Sequence, residues 1–132
     1  MKKILLLILI IALPVFAAGL DDLAKKTGTG DAQAQYDYAM ALMMGDYADP
    51  DMEKAVQWFE KAAMQGHPEA QYELGTAIFN GDGVKADKIM GCAWLYLSTV
   101  DSSEYICLSQ INADERAKAK AESEKLAKKG GK

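Results

Sequence analysis

The chain has 132 residues, half of them hydrophobic, and its 19 Asp and Glu outnumber its 15 Lys and Arg, for a formal charge of −4. This length suits one compact domain, and the acidic balance argues against nucleic acid as a ligand because its phosphates would be repelled. A solvated acidic surface explains the charge more simply than a cationic partner does.

The first 17 residues have the pattern of a secretory signal peptide. Lys2 and Lys3 precede an uninterrupted apolar run over residues 4–13, and Val15-Phe16-Ala17 forms a small-x-small cleavage motif. A bilayer span needs about 20 apolar residues, so an uncleaved anchor is the weaker alternative. We expect cleavage after Ala17, no stable membrane insertion afterwards, and a periplasmic or secreted protein.

Two stretches of the remaining chain repeat one another without a gap, 36 residues apart. "GDAQAQYDYAMALMMGDYA" begins at Gly30 and "GHPEAQYELGTAIFNGDGV" begins at Gly66. A period of this size is typical of stacked helix pairs. We therefore place two repeats at about 30–65 and 66–101.

Each repeat opens with a predicted helix. Asp31 and His67 hold the N-cap position, and Pro68 suits the first helical position because its missing N–H would have no partner there. Apolar residues then recur every three or four positions, and Gly45 and Gly81 supply a left-handed stop.

A second helix is predicted to begin near Asp51 and Asp87. One tryptophan in each repeat, Trp58 or Trp94, is expected to fill the space between helices. Small residues should let the helix backbones approach closely, at Ala39, Ala55, Gly75 and Gly91.

Partial copies flank the two repeats. Residues 19–30 indicate a truncated second helix with Leu23 opposite Phe59, and residues 102–111 indicate a truncated first helix. Asn112 then caps residues 113–129, a charged, alanine-rich segment with almost no apolar stripe, which we expect to lie loosely on the body or to fold against a partner. Residues 18–111 thus form an all-α solenoid, and residues 112–132 a charged helix or tail.

These motifs resemble the Sel1-like repeat (SLR) family, relatives of tetratricopeptide repeats. The positions that match are Ala70, Leu74, Gly75, Gly81, Gly83, Val84 and Asp87, with Ala55, Trp58, Ala62, Ala63 and Gly66 in the adjoining stretch. The resemblance covers residues 19–111 and implies an α/α solenoid of stacked antiparallel helix pairs. The first repeat departs from the pattern at Tyr38-Ala39 and Tyr47-Ala48, which predicts a different loop.

Cys92 and Cys107 are the only cysteines, and export would place them in an oxidising compartment. If the intervening turn centres near Asp101, their heights on neighbouring helices differ by roughly 4–5 Å, which suits a disulfide. We expect a structural bridge that holds the C-terminal cap. A redox-active pair is disfavoured because no C-x-x-C arrangement is present.

No catalytic, metal or cofactor site is predicted. His67 is the only histidine and lies at a helix cap, the serines lack a nucleophile elbow, and the glycines at 81–83 fit an inter-helix turn better than a phosphate or calcium loop. The acidic residues occupy caps or solvated faces, so paired-carboxylate catalysis has no support.

The remaining candidate is a binding surface. In a helix-pair solenoid the first helices line the concave side, where aromatic, methionine and polar residues suit an adaptable groove for another protein. Core packing could instead absorb both tyrosines and Met40. The candidate partner-binding residues are Tyr36, Met40, Met44, Tyr72, Thr76 and Asn80, beside Gln33, Asp37, Glu69 and Glu73.

The resemblance implies a non-catalytic adaptor or scaffold of the bacterial cell envelope. Two alternatives are an immunity protein that occludes a toxin and, less favoured, a weak hydrolase of cell-wall or β-lactam compounds, as proposed for cysteine-rich relatives.

Overall fold

A computed structural model describes residues 19–46 and 48–130, and their regular structure is entirely helical. The predicted signal peptide, residues 1–17, lies outside the described residues. Residues 19–27 form helix α1. The helices that follow are α2 (Ala32–Met44), α3 (Met52–Met64), α4 (Pro68–Asn80), α5 (Lys88–Leu97), α6 (Ser103–Gln110) and α7 (Ala113–Gly130). The predicted all-α solenoid is confirmed: α2 pairs with α3, α4 pairs with α5, and α3 packs on α4.

The four repeat helices begin in the same way. At each N-cap, a side-chain acceptor takes the backbone N–H of the residue three positions further on, over 2.8 to 3.3 Å. The acceptors are carboxylate oxygens of Asp31, Asp51 and Asp87 and Nδ1 of His67. These caps satisfy donors that a helix terminus otherwise leaves unpaired. The sequence predicts the caps at Asp31 and His67, and it predicts helix starts, though not caps, near Asp51 and Asp87.

The first helices of the two repeats also end alike. Gly45 and Gly81 adopt left-handed backbone angles, with φ of 73° and 85°. Each loop then closes with one backbone hydrogen bond of 2.9 Å, from Asp51 to the Leu42 carbonyl and from Asp87 to the Ile78 carbonyl. The loop of the first repeat therefore closes like that of the second, although Tyr47 lies outside the described residues.

Close backbone contact holds each helix pair together. A Cβ on Gly75 would lie 2.8 Å from Leu95 Cγ and 2.9 Å from the Gly91 carbonyl oxygen. In the first pair, Ala39 and Ala55 are fully buried. The prediction that small residues occupy these crossings is confirmed.

The two tryptophans differ in burial. Trp94 is only 5% exposed, as expected for a core residue. Trp58 is half-buried, so the expectation of a full core role is wrong for it. Tyr38 occupies the buried position that Leu74 holds one repeat later, and the Trp58 ring packs edge-on against it with centroids 5.2 Å apart. The Lys61 ammonium lies 3.6 Å from the indole centroid.

Helix α7 packs on α5 more closely than its composition predicts. A capping box starts it, in which Asn112 and Glu115 exchange side-chain to backbone hydrogen bonds of 2.9 and 3.0 Å. Ala119 and Ser123 are buried, and Leu126 packs against the main core. The expectation of a loosely lying helix is wrong, because small side chains permit close contact where no apolar stripe exists.

The Cys92–Cys107 disulfide is present and joins α5 to α6, with the two Cα atoms 5.7 Å apart. Both cysteines are fully buried in a second core cluster, beside Phe79, Leu95 and Ile111. The bridge therefore anchors α6 to the last complete helix pair.

Gly75→Ala should destabilise the protein. Alanine at an unconstrained helix position would stabilise it by about 0.5–1 kcal/mol, but here the added Cβ meets α5 and should cost about 1–3 kcal/mol through overpacking. Urea unfolding measures the change, with Gln57→Ala on the exposed side of α3 as the control. A stabilised Gly75→Ala variant would refute the close crossing.

Removing the disulfide should lower the unfolding free energy. Cys92 and Cys107 enclose a loop of 15 residues, whose closure stabilises the fold by about 3 kcal/mol in the chain-entropy model. The double variant Cys92→Ala/Cys107→Ala should match the reduced parent and should not respond to reductant. If Cys92 and Cys107 can be alkylated in the unfolded protein without prior reduction, the disulfide is contradicted.

Candidate functional site

The outward sides of α2 and α4 form one surface, which we call the front face. It comprises Gln33, Tyr36, Asp37, Met40, Met44, Glu69, Tyr72, Glu73, Thr76 and Asn80. These two helices are the first helices of the two repeats. Equivalent residues on the front face are therefore 36 positions apart.

The six predicted partner-binding residues differ in accessibility. Met44 is 58% exposed and Asn80 is also exposed, whereas Tyr36, Met40, Tyr72 and Thr76 are half-buried. The half-buried aromatic and methionine side chains pack partly against the two core clusters. Core packing thus holds Tyr36, Met40 and Tyr72 in part, as the alternative expected. The exposed residues among the six, Met44 and Asn80, lie at the C-terminal ends of α2 and α4.

A stack of two rings connects α2 to the start of α4. The Tyr36 and His67 rings lie 4.7 Å apart between centroids with 20° between their planes. His67 Nδ1 accepts the Ala70 backbone N–H, so in the neutral ring Nε2 carries the proton and donates to Gln33 Oε1 at 3.0 Å. The histidine therefore caps α4, as predicted, and it also links the two repeats, which the sequence does not predict.

Glu69 contributes a second contact to the same ring. Its Oε2 lies 3.4 Å from His67 Nδ1, a contact that attracts only when that nitrogen is protonated. The N-cap hydrogen bond from Ala70 needs Nδ1 as an acceptor. We assign the neutral ring, because the cap bond satisfies a backbone donor and Glu69 is 58% exposed to water.

Nearby carboxylates act electrostatically on the Tyr36 hydroxyl. Burial raises the Tyr36 pKa above its ordinary value of 10.0, and the negative charges of Glu73, Glu69 and Asp37 raise that pKa further. Burial also raises the Glu73 pKa above its ordinary value of 4.5. The charged side chains in the middle of the front face are therefore all acidic: Asp37, Glu69 and Glu73.

The front face meets the start of α6. Ser102 Oγ donates to the Tyr72 hydroxyl at 3.4 Å. Tyr72 and Ile106 both pack against the second core cluster, which contains the disulfide. The sequence gives no signal for this contact, because the repeat pattern indicates the helix after Ser102 only as a truncated terminal unit.

A cavity of about 260 Å³ lies away from the front face, between the ends of α3, α5 and α7. Its lining has no ionisable or nucleophilic side chain: Ala63, Met64, Gly66, Gln71, Trp94, Leu97, Leu126, Ala127 and Gly130. Within 19–46 and 48–130, no three His, Cys, Asp or Glu side chains cluster as metal ligands would. Over the same residues, no helix has the length and apolar content of a membrane span.

The loop with glycines at 81 and 83 is a packed turn. Gly83 has φ of 68°, and a Cβ there would lie 2.6 Å from the Met52 carbonyl carbon. Only glycine fits so close to the first turn of α3. The prediction of an inter-helix turn is confirmed.

The family model of the Sel1 repeat matches residues 32–67 and 68–98. The chain belongs to the Sel1 repeat family. Sel1 repeats generally serve as protein–protein interaction modules and are typically non-catalytic. No protein of curated function matches in sequence.

Two solved structures have the same architecture. The first is c5321, a protective antigen of uropathogenic Escherichia coli with an SLR fold, which is 28% identical with a TM-score of 0.76. The match covers 83% of this chain but only 25% of that one. The second is a Sel1 repeat protein from Oxalobacter formigenes, 24% identical with a TM-score of 0.62, over 66% of this chain and 68% of that one.

Glu73→Gln should stabilise the protein at neutral pH. Because the folded-state pKa is raised, ionisation of Glu73 costs stability as pH rises through that pKa. Parent and variant should differ in urea midpoint at about pH 7 and converge at about pH 3, where the carboxyl is protonated in both the folded and the unfolded protein. Glu60→Gln, at an exposed position of α3, is the control; an equal change there would contradict the effect of burial.

Proposed function

We propose that this Sel1 repeat protein is a non-catalytic adaptor or scaffold of the bacterial cell envelope, and that it binds a partner protein on the front face. One observation carries the proposal. The stacked rings of Tyr36 and His67 and the hydrogen bond from His67 to Gln33 join the first helices of both repeats into one surface.

A fixed surface favours binding because little conformational freedom is lost when the partner docks. Met44 and Asn80 remain accessible at the ends of the two helices. Methionine and half-buried tyrosine side chains provide adaptable and aromatic contact area of the kind that protein interfaces use.

Export is part of the proposal. The pattern of residues 1–17 indicates a signal peptide, and a buried Cys92–Cys107 disulfide suits an oxidising compartment. In this organisation, cleavage releases a solenoid of residues 18–111 with the charged segment 112–132, whose helix α7 packs on the body.

The hydrolase alternative receives less support. A hydrolase of this kind needs a nucleophile and a base within hydrogen-bond reach of one another. The sole histidine uses one ring nitrogen for the α4 cap and the other for Gln33. An immunity protein is a special case of the binding role, in which the partner is a toxin.

Site-specific photo-cross-linking tests the proposed function. A photoreactive amino acid at Met44 or Asn80, expressed in the full chain, should yield a specific adduct with one envelope protein. The same probe at Gln57 or Glu60, which are exposed on α3, should not. These positions are better probes than Tyr36 or Tyr72, because truncating the half-buried tyrosines would also disturb packing. The proposal would be overturned if the front-face positions and the α3 positions gave equal cross-linking, or if neither pair of positions gave any.

A further inference from the structure

Charge is segregated between the two rows of helices. Helices α2, α4 and α6 contain no Lys or Arg, and their ionised residues are Asp37, Glu69, Glu73 and Glu104. The Lys and Arg residues of the described chain lie on α1, α3, α5 and α7 and at Lys85. The first-helix row is therefore purely anionic at neutral pH.

Helix α6 continues this row in the register of the repeat. Positions 35, 71 and 107 are all buried, as are positions 39, 75 and 111. Positions 33, 69 and 105 are all exposed. The outward side of α6 therefore corresponds to the front face, and the Ser102–Tyr72 hydrogen bond connects the two surfaces.

That side of α6 exposes large apolar side chains. Tyr105 is 73% exposed and Leu108 is 54% exposed, and their spacing of three residues places them together on the helix. They occupy the positions of Glu69 and Tyr72 one repeat earlier. Among the large hydrophobic residues exposed within the described chain, these two and Met44 lie on the first-helix row, and Val84 lies on a loop. Clustered apolar exposure of this kind marks an interaction surface.

We propose that the front face extends onto Tyr105 and Leu108, and that its occupant is a cationic amphipathic segment of the partner protein. This inference rests on the proposed function and specifies the partner's chemistry. Apolar side chains of the segment pack on α6, while its Lys or Arg side chains face the carboxylates around Tyr36.

Charge complementarity selects this occupant. Asp37, Glu73 and Glu104 have no ion-pair partner among the residues that the structure describes. A cationic segment would relieve the mutual repulsion of Asp37, Glu69 and Glu73, whereas an anionic segment or nucleic acid would increase it. Burial raises the pKa of Tyr36, and the negative charges of Glu73, Glu69 and Asp37 raise it further.

A titration of the ¹⁵N-labelled protein with synthetic peptides tests the inference. The probe is an amphipathic peptide of leucine and lysine, and two matched peptides replace every lysine by glutamate or every leucine by serine. We expect the first peptide alone to bind, with amide shifts concentrated on α2, α4 and α6 and with affinity that falls as salt increases. Binding of the glutamate peptide, or shifts spread over α3 and α5, would overturn the inference.

Variants separate the two parts of the surface. Tyr105→Ser/Leu108→Ser should weaken peptide binding at least about fivefold, as expected for central interface residues, and Glu69→Gln/Glu73→Gln should reduce its salt dependence. The matched control Glu53→Gln/Glu60→Gln changes two exposed carboxylates on α3 and should have no effect. Unfolding curves confirm that each variant is folded. Equal loss in the control would overturn the inference.

Two results distinguish this inference from the proposed function. If the α6 variants leave both the peptide affinity and the cross-link from Asn80 unchanged, the inference fails and the binding role stands. If the probes at Met44 and Asn80 give no specific cross-link, the proposed binding role is overturned, and the inference that rests on it is overturned as well. Self-association of the parent that Tyr105→Ser/Leu108→Ser abolishes would identify a second copy as the occupant and would overturn the cationic partner.

Discussion

The contact between backbones at the crossing of α4 and α5 is the constraint on which the architecture depends. A Cβ on Gly91 would lie 2.7 Å from the Phe79 backbone nitrogen and 2.8 Å from the Gly75 carbonyl oxygen, so neither glycine has room for a side chain. In the first pair, Ala39 and Ala55 fill the equivalent crossing. Because the interior is close-packed, the crossing leaves no space for large side chains between the two helices of a pair. Larger side chains therefore lie on the outer side of the pair or against the next pair. The same crossing in both repeats therefore keeps the outer sides of α2 and α4 in register.

Features that depend on neighbouring residues could be predicted from the sequence. The cap at Asp31 and the helix starts near Asp51 and Asp87 involve hydrogen bonds over three residues, and the stop at Gly81 needs only a left-handed backbone. The 36-residue period also predicts that the helix pairs stack on one another, because equivalent residues in successive repeats make equivalent contacts. Local chemistry and periodicity together specified the fold class.

Hydropathy alone predicts neither the contacts made by small side chains nor the exposure of some large apolar ones. Helix α7 docks through Ala119 and Ser123, which are as common on solvated helices as in close contacts, so hydrophobic periodicity gives no signal. Tyr105 and Leu108 have the opposite property, since hydropathy suggests burial and the structure exposes them. Comparison across the period would have found them, because Gln33 and Glu69 occupy the position of Tyr105 in the preceding repeats.

After the last full repeat, another helix covers the second-helix row but not the first-helix row. This difference supports a binding role for the first-helix row. Helix α7 covers α5, the second helix of that repeat, with buried small residues and a capping box. Within the described chain, no helix covers Tyr105 and Leu108 on α6, although a solenoid end that meets only water is normally polar. The disulfide nevertheless fixes α6 in place through Cys107. A covalently anchored helix with an apolar outer side is better explained by a binding surface than by a cap, and the Ser102–Tyr72 hydrogen bond links the start of that helix to the front face.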